Sequence, residues 1–178
     1  MAEKTLSQFA DEHYEWIESV GWAGVRTPLE SLGRIGSEIG ELVNECRGDK
    51  LGDGFEAELS DVILASITAI KESQRLSTFE DREIWMIAKR CYESRYYPEF
   101  EVSEFPTIFG AISYGFVVLG NAINEQNRRG DQGIVVHRIH EIINYFLAVA
   151  HKAGININDA LTEKMAKNQI KGNRGRKK

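Results

Sequence analysis

Residues 57–70 read AELSDVILASITAI, and their apolar side chains recur every three or four positions. This spacing is the period of an α-helix with one buried face. A second stripe with the same period lies later in the chain, at Ile139, Ile142, Ile143, Phe146, Leu147 and Ala150. No stretch alternates apolar and polar residues between hairpin turns, as β-strands do. The sequence therefore predicts an all-α protein, a multi-helix bundle of roughly six or seven helices joined by short loops.

Two segments carry the pattern of a helix start. Thr27-Pro28-Leu29-Glu30 combines a capping box with proline at the first helical position. Asp53-x-x-Glu56 is a further capping-box candidate, immediately before the stripe of residues 57–70. The helix predicted to begin at Thr27-Pro28 contains Glu38 and Glu41, and the helix predicted to begin near Asp53 contains Glu58 and Asp61.

Two pairs of acidic residues interrupt apolar sequence. Glu38 and Glu41 lie within IGSEIGELV, and Glu58 and Asp61 lie within AELSDVILASI. A separation of three positions puts both carboxylates of a pair on one helical face. If the two helices pack face to face, four carboxylates meet, and their repulsion requires a counter-charge. A hard divalent cation with oxygen ligands, Mg²⁺ or Mn²⁺, meets that requirement.

The composition and net charge of the chain argue against a membrane-spanning protein and against a nucleic-acid-binding protein. The chain has 178 residues, a formal net charge of −5 and no apolar run near the ~20 residues that span a bilayer. Its first residues lack a signal-peptide pattern, and Cys46 and Cys91 lack a metal-ligand spacing, so we expect reduced thiols and a cytoplasmic protein. The negative charge makes nucleic acid an improbable partner.

The two apolar stripes are related by a constant shift. The shift that aligns Gly40 with Gly120 also aligns Asn44 with Asn124 and brings the apolar positions of the stripes into register. This correspondence predicts two degenerate repeats that form a pseudo-dimer. Coincidence of two amphipathic hairpins is the alternative.

The predicted domain organisation follows from this shift. We expect a first repeat at 1–98, a second at 99–170, and a basic flexible tail at 171–178, with one compact structural domain overall. The second repeat lacks most of the acids: opposite Glu38, Glu41 and Glu58 stand Val118, Asn121 and Arg138. Only Asp61 has an acidic counterpart, Glu141. The sequence thus predicts a single metal site per chain.

The paired acidic motif resembles that of the all-α nucleoside triphosphate pyrophosphohydrolases, a group comprising MazG-like proteins, dCTP pyrophosphatases and dimeric dUTPases. Their signature, E-x-x-E followed on the next helix by E-x-x-D, reads here Glu38-Ile-Gly-Glu41 and Glu58-Leu-Ser-Asp61. The resemblance implies hydrolysis of an NTP or dNTP to the monophosphate and pyrophosphate. It implies that these four acids are the catalytic and metal-binding residues, with Mg²⁺ as cofactor and Mn²⁺ as a possible substitute.

The family also tends to carry a lysine and an asparagine, K-x-x-x-N, on a later helix. Lys164 and Asn168 match this pattern in the second repeat, whereas Lys89 of the first repeat is followed by Glu93. The resemblance therefore implies a composite site, in which Lys164 and Asn168 bind substrate for acids of the first repeat. An ordinary polar helix is the alternative interpretation of these two residues.

Further substrate contacts are less specific. Asn44 is a candidate for a hydrogen bond to the sugar or base, and Trp22 for stacking on the base. Trp16, Trp85 and Tyr145 are further aromatic candidates, and for all four aromatic residues, Trp22 included, a plain core position is the competing interpretation. Arg34, Lys71 and Arg95 are further candidate cations for contact with phosphate.

Three other functions stay open at this point. A non-catalytic nucleotide-binding or scaffold protein of the same fold would have the same helices. His137-x-x-His140-Glu141 offers a different helical metal site, and the basic tail offers a nucleic-acid contact. The expected partner is a nucleoside triphosphate, and the chain is either a monomeric pseudo-dimer or a homodimer.

Overall fold

The computed structural model describes residues 3–24, 26–47, 49–73, 82–93 and 102–174, with side chains as far as residue 170. Within these ranges the chain forms seven α-helices: α1 Leu6–Ser19, α2 Pro28–Asn44, α3 Phe55–Glu72, α4 Ile84–Glu93, α5 Ile108–Arg128, α6 Gln132–Lys152 and α7 Ile157–Arg174. A short 3-10 helix spans Val102–Glu104, and a small antiparallel hairpin joins β1 Cys46–Arg47 to β2 Lys50–Leu51. The prediction of an all-α multi-helix bundle is confirmed. The predicted repeat boundary at residue 98 lies outside the described residues, and α7 extends into the segment assigned to the tail.

The start of α2 is the one predicted. The Thr27 hydroxyl accepts from the backbone N–H of Glu30, and the Glu30 carboxylate accepts from the Thr27 N–H at 2.7 Å. The start of α3 differs from the prediction, because Gly54 is the N-cap and no side chain caps it. The Gly54 N–H instead donates to Oε2 of Glu45 at 3.1 Å, so a residue from the end of α2 orders this loop.

Four helices form the centre of the molecule. α2 packs against α3 and α5 packs against α6, while the pairs α2–α5 and α3–α6 close the bundle. α3 is the most enclosed of them, since every residue from Val62 to Ile70 is buried. A helix that is apolar on all sides is typical of such a central position. The two motif acids of α3, Glu58 and Asp61, stand near its start, before this buried segment.

The remaining helices pack on this centre. α7 contacts α3, α4 contacts α6, and α1 contacts α3. The shift that aligns Gly40 with Gly120 also aligns the first residues of α2 and α5, Pro28 and Ile108, and the last residues of α3 and α6, Glu72 and Lys152. The other two boundaries do not follow the shift, since α5 extends four residues beyond the counterpart of Asn44 and α6 begins three residues before the counterpart of Phe55. Two repeats that form a pseudo-dimer therefore stay a prediction.

One close approach fixes the α5–α6 contact. A Cβ atom at Gly115 would lie 3.0 Å from Cε2 of Phe146 and closer still to Cζ, so only glycine fits there. The Tyr145 hydroxyl donates to the backbone oxygen of Ala111 on the same interface. Among the helices described, none is long and apolar enough to cross a membrane.

Candidate metal centre

Three carboxylates converge where the first turns of α3 face the middle of α2. One oxygen from each of Glu38, Glu58 and Asp61 lies within 4.8 Å of the other two. The Glu38 side chain is buried, and Glu58 and Asp61 are half-buried. Oε2 of Glu58 is shielded from solvent and has no hydrogen-bond partner among the described residues. An all-oxygen donor set with an unsatisfied oxygen fits a hard divalent cation.

Two cations already lie against this acidic cluster. Nη2 of Arg34 is 2.8 Å from Oε1 of Glu38, one helical turn away on α2. Lys164 reaches Asp61 from α7 and forms an ion pair through Nζ, because α7 packs on α3. Two positive charges therefore accompany three carboxylates, and the formal balance of the cluster is one negative charge.

The protonation behaviour of the cluster reflects burial and crowding. Burial raises the pKa of Glu38, and the neighbouring acids raise it further, against the opposing effect of Arg34. Burial likewise raises the pKa of Glu58, against the opposing effect of Lys164. The surroundings of both side chains thus disfavour the charged carboxylate. A bound cation would favour it and so lower both pKa values.

Glu41, the fourth acid of the motif, is exposed and is not one of the three converging residues. A step of three residues turns a helix by about 300°, so the second acid of the pair is offset by about 60° from the first. On α2 that offset carries Glu41 toward solvent. Its charge still contributes to the raised pKa of Glu38 and of Glu58. A ligand role for Glu41 stays a prediction.

A polar cavity of about 110 Å³ lies beside the cluster, between the start of α3 and α7. Its lining is mostly charged and comprises Asp53, Glu56, Ala57, Ala160, Glu163, Lys164 and Lys167. Lys164 thus borders both the cavity and the acidic cluster. Asn168, one turn further along α7, is half-buried and is not part of this lining, and Asn44 is exposed at the last residue of α2.

An aromatic group lies near Arg34, whose charge acts on His13. His13 is 5% exposed, and neither its Nδ1 nor Nε1 of Trp16 has a hydrogen-bond partner among the described residues. The ring of Trp22 meets that of Trp16 edge-on, with the centroids 5.4 Å apart, and Trp22 is 46% exposed. Burial, and secondarily the positive charge of Arg34, lowers the pKa of His13 to about 4. His13 was not among the residues selected from sequence, although it stands on the apolar face of α1.

Other sequence-selected residues lie elsewhere. Tyr145 is buried in the α5–α6 contact, and Trp85 packs edge-on against His151 at 4.9 Å between their centroids. Lys71 pairs with Asp11 at 2.7 Å, near the opposite end of α3 from Asp61. Arg95 lies outside the described residues.

The second half carries an ion pair where the first carries its cluster. Nη1 of Arg138 is 3.0 and 2.8 Å from the two carboxylate oxygens of Glu141, the counterpart of Asp61. Val118, the counterpart of Glu38, is buried among apolar residues. His137 lies 3.4 Å from Glu141, but no histidine belongs to a group of three potential ligands in the part of the chain described. The acidic cluster of the first half is the one such group found there.

Comparison with known proteins adds no relative to this picture: no protein-family model, no curated protein and no solved structure matches the chain. The paired acidic motif and the geometry of the side chains that it brings together are therefore the features that bear on function. Both are properties of this chain's own residues.

Proposed function

We propose that this protein is a divalent-cation-dependent nucleoside triphosphate pyrophosphohydrolase, which converts an NTP or dNTP to the monophosphate and pyrophosphate. The observation that carries the proposal is the convergence of Glu38, Glu58 and Asp61 within 4.8 Å, with Lys164 beside them. Their spacing in sequence is that of the E-x-x-E and E-x-x-D motif. A phosphoanhydride substrate needs charge neutralisation and positioning more than covalent help from the protein.

The acidic cluster would hold Mg²⁺, or Mn²⁺ in its place. When bound, such a cation neutralises phosphate charge and makes a water molecule more acidic. Glu38 is held in position by its contact with Arg34. Glu58 is the best placed proton acceptor, because Oε2 has no competing donor among the described residues and burial raises the pKa of its carboxyl group.

Lys164 and Lys167 would bind the phosphate groups of the substrate. Both line the polar cavity next to the cluster, and Lys164 also contacts Asp61. A cation bound at Asp61 competes with Lys164 for the same carboxylate, so Lys164 would turn from Asp61 to a phosphate oxygen. Lysine is suited to this exchange because its charge is compact and its stem is flexible. Asn168 remains a predicted contact on the same helix.

The aromatic group formed by His13, Trp16 and Trp22 would bind the base. Trp22 offers an exposed ring for stacking, and the buried nitrogens of the other two have no hydrogen-bond partner in the part of the chain that the structure describes. A buried polar group without a partner costs about 1–3 kcal/mol, which hydrogen bonds to a base edge would recover. Arg34 contacts Glu38 and its charge acts on His13, so it connects this group to the acidic cluster.

The test is a panel of NTPs and dNTPs with Mg²⁺, with released pyrophosphate as the measurement. We expect turnover of at least one nucleotide, and a loss of about 100-fold or more in Glu38→Gln and Asp61→Asn, because each removes a charged ligand. Glu15→Gln, an exposed change on α1, is the matched control and should retain turnover. Helical circular dichroism should be unchanged in all three.

Retained turnover in both cluster variants would contradict the proposal. Binding of nucleotide by the wild-type chain without any pyrophosphate release would instead favour the non-catalytic alternative, a nucleotide-binding or scaffold protein with the same cluster.

A further inference from the structure

The carboxylate of Glu45 is enclosed by the loop that leads into α3. The backbone N–H of Gly54 donates to its Oε2 at 3.1 Å, and the N–H of Gly52 donates to the backbone oxygen of the same glutamate at 2.7 Å. A Cβ at Gly54 would lie 2.9 Å from Cδ of Glu45, and a Cβ at Gly52 would come closer still to Oε2. Because a side chain at either position would displace the carboxylate, the two glycines allow the loop to close on it.

Gly54 connects this carboxylate to the acids of α3. It is the N-cap of the helix, and its own side of the helix start has no side-chain hydrogen bond. The Gly54 carbonyl accepts from the backbone N–H of Glu58 at 3.0 Å. Two successive hydrogen bonds therefore run from the Glu45 carboxylate to the backbone of Glu58, which belongs to the acidic cluster. A negative charge also suits this place, because the N-terminus of a helix carries a partial positive charge.

The contact joins the two helices that carry the cluster. Glu45 is the C-cap of α2, the helix of Glu38, and Glu58 lies in the first turn of α3. The convergence of the three carboxylates within 4.8 Å depends on how this first turn is placed relative to α2. Phe55, 1% exposed, anchors the same turn in the core. Without Glu45, α3 would therefore stay docked while the position of its first turn became less well defined.

The second half of the chain, which lacks the cluster, begins its helix differently. There the side chain of Asp131, the N-cap of α6, accepts from two backbone N–H groups of the first turn at 2.8 and 3.3 Å. Glu125, the counterpart of Glu45, lies 3.6 Å from Nε of Arg129 instead. A helix in this fold can thus begin through its own N-cap. A link from the preceding helix is found at the helix that carries the acids.

We propose that Glu45 is a positioning residue for the metal ion, whose carboxylate holds the first turn of α3 where Glu58 and Asp61 face Glu38. This role rests on the proposed function, since it concerns the same cation site. Glu45 is not one of the three converging ligands, and its Oε2 is engaged by Gly54. It fixes the ligands before the cation arrives, so that binding requires less ordering of the first turn.

Position and charge are two separable effects of this side chain. Burial raises the pKa of Glu58, and the charge of Glu45 adds a smaller effect in the same direction, so the two carboxylates repel each other. A negative charge near the site would also attract a cation directly. Glu45→Gln keeps an oxygen that accepts from Gly54 but removes the charge, whereas Glu45→Ala removes both. Positioning predicts that the glutamine variant keeps most of the affinity for the metal and that the alanine variant does not.

Calorimetric titration of the full chain with Mn²⁺ alone, without nucleotide, tests this inference. We expect Glu45→Ala to bind Mn²⁺ about tenfold more weakly than the wild type, and Glu45→Gln to stay within about threefold of it. Gly52→Ala should also weaken binding, because the new Cβ displaces the Glu45 carboxylate, and it should add little in the Glu45→Ala background. Glu125→Ala, at a position half-buried like that of Glu45, is the matched control and should bind Mn²⁺ like the wild type.

Unchanged Mn²⁺ affinity in Glu45→Ala would overturn the proposal, and a lower unfolding free energy in urea would then assign Glu45 to the stability of the fold alone. Glu45→Gln as weak as Glu45→Ala would overturn it too, since charge and not position would then matter. So would independent effects of Gly52→Ala and Glu45→Ala in the double variant. A wild type that binds no Mn²⁺ would instead contradict the proposed function itself, and this role with it.

Discussion

The titration of His13 gives the sharpest quantitative prediction. Its pKa is lowered from 6.5 to about 4, with burial as the main cause, so the folded protein keeps the imidazole neutral. In the unfolded chain the same group takes up a proton near pH 6.5. The unfolded state therefore binds more protons between pH 6.5 and pH 4, and the free energy of unfolding falls as pH falls through that window.

The size of the effect follows from the two pKa values. Each unit of pKa difference is worth about 1.36 kcal/mol, so protonation of the unfolded state at pH 5.0 costs the folded state about 2 kcal/mol relative to pH 7.5. Most of this loss should vanish in His13→Gln, which keeps a polar side chain but cannot titrate. Other groups, including Glu38 and Glu58, titrate in both proteins and cancel in the comparison.

The measurement is urea unfolding of the wild type and His13→Gln at pH 7.5 and pH 5.0, followed by circular dichroism. The fall in unfolding free energy between these pH values should be about 2 kcal/mol larger in the wild type. Equal falls in the two proteins would refute the reasoning, because His13 would then titrate normally and could not be a buried neutral group.

Two further predictions concern the site and the core. Lys164→Met removes the cation that competes with a metal ion for Asp61. We therefore expect Mn²⁺, measured by calorimetry, to bind several-fold tighter, and KM for the nucleotide to rise. Unchanged Mn²⁺ affinity would contradict the competition. Gly115→Ala forces a Cβ against the Phe146 ring and should lower the unfolding free energy by about 1–3 kcal/mol. Gly120→Ala, in the same helix but in open space, should instead raise it by up to about 1 kcal/mol, and equal effects would refute the packing argument.

The helices were predictable because burial of one face of a helix makes apolar residues recur every three or four positions in the sequence. The stripe from Leu59 to Ile70 and the cap at Thr27 appear in the structure as expected. The hairpin between α2 and α3 was missed, since strands of two residues each are too short to show any alternation. The capping-box candidate at Asp53 does not cap α3, since Gly54 is the N-cap and its N–H donates to the Glu45 carboxylate, which comes from a different element.

Spacing identified the acids but not all of their geometry. Glu38, Glu58 and Asp61 converge because α2 and α3 pack together, whereas Glu41 is exposed and lies outside the group, which spacing alone does not predict. Lys164 was found through a motif, and the packing of α7 on α3 accounts for its contact with Asp61. His13 could not be selected from sequence, because its importance rests on burial beside Trp16, and a single histidine carries no such signal.

The Lys164–Asp61 ion pair also sets an order of events during synthesis. Asp61 leaves the ribosome roughly a hundred residues before Lys164, so α2 and α3 emerge while the helix that neutralises them is still being made. A nascent chain that pairs these two helices early would expose the uncompensated carboxylates and the apolar side of α3 that α7 covers. The folded arrangement of this centre should therefore be completed only after α7 docks, and ribosome-bound chains stalled before α7 should lack it.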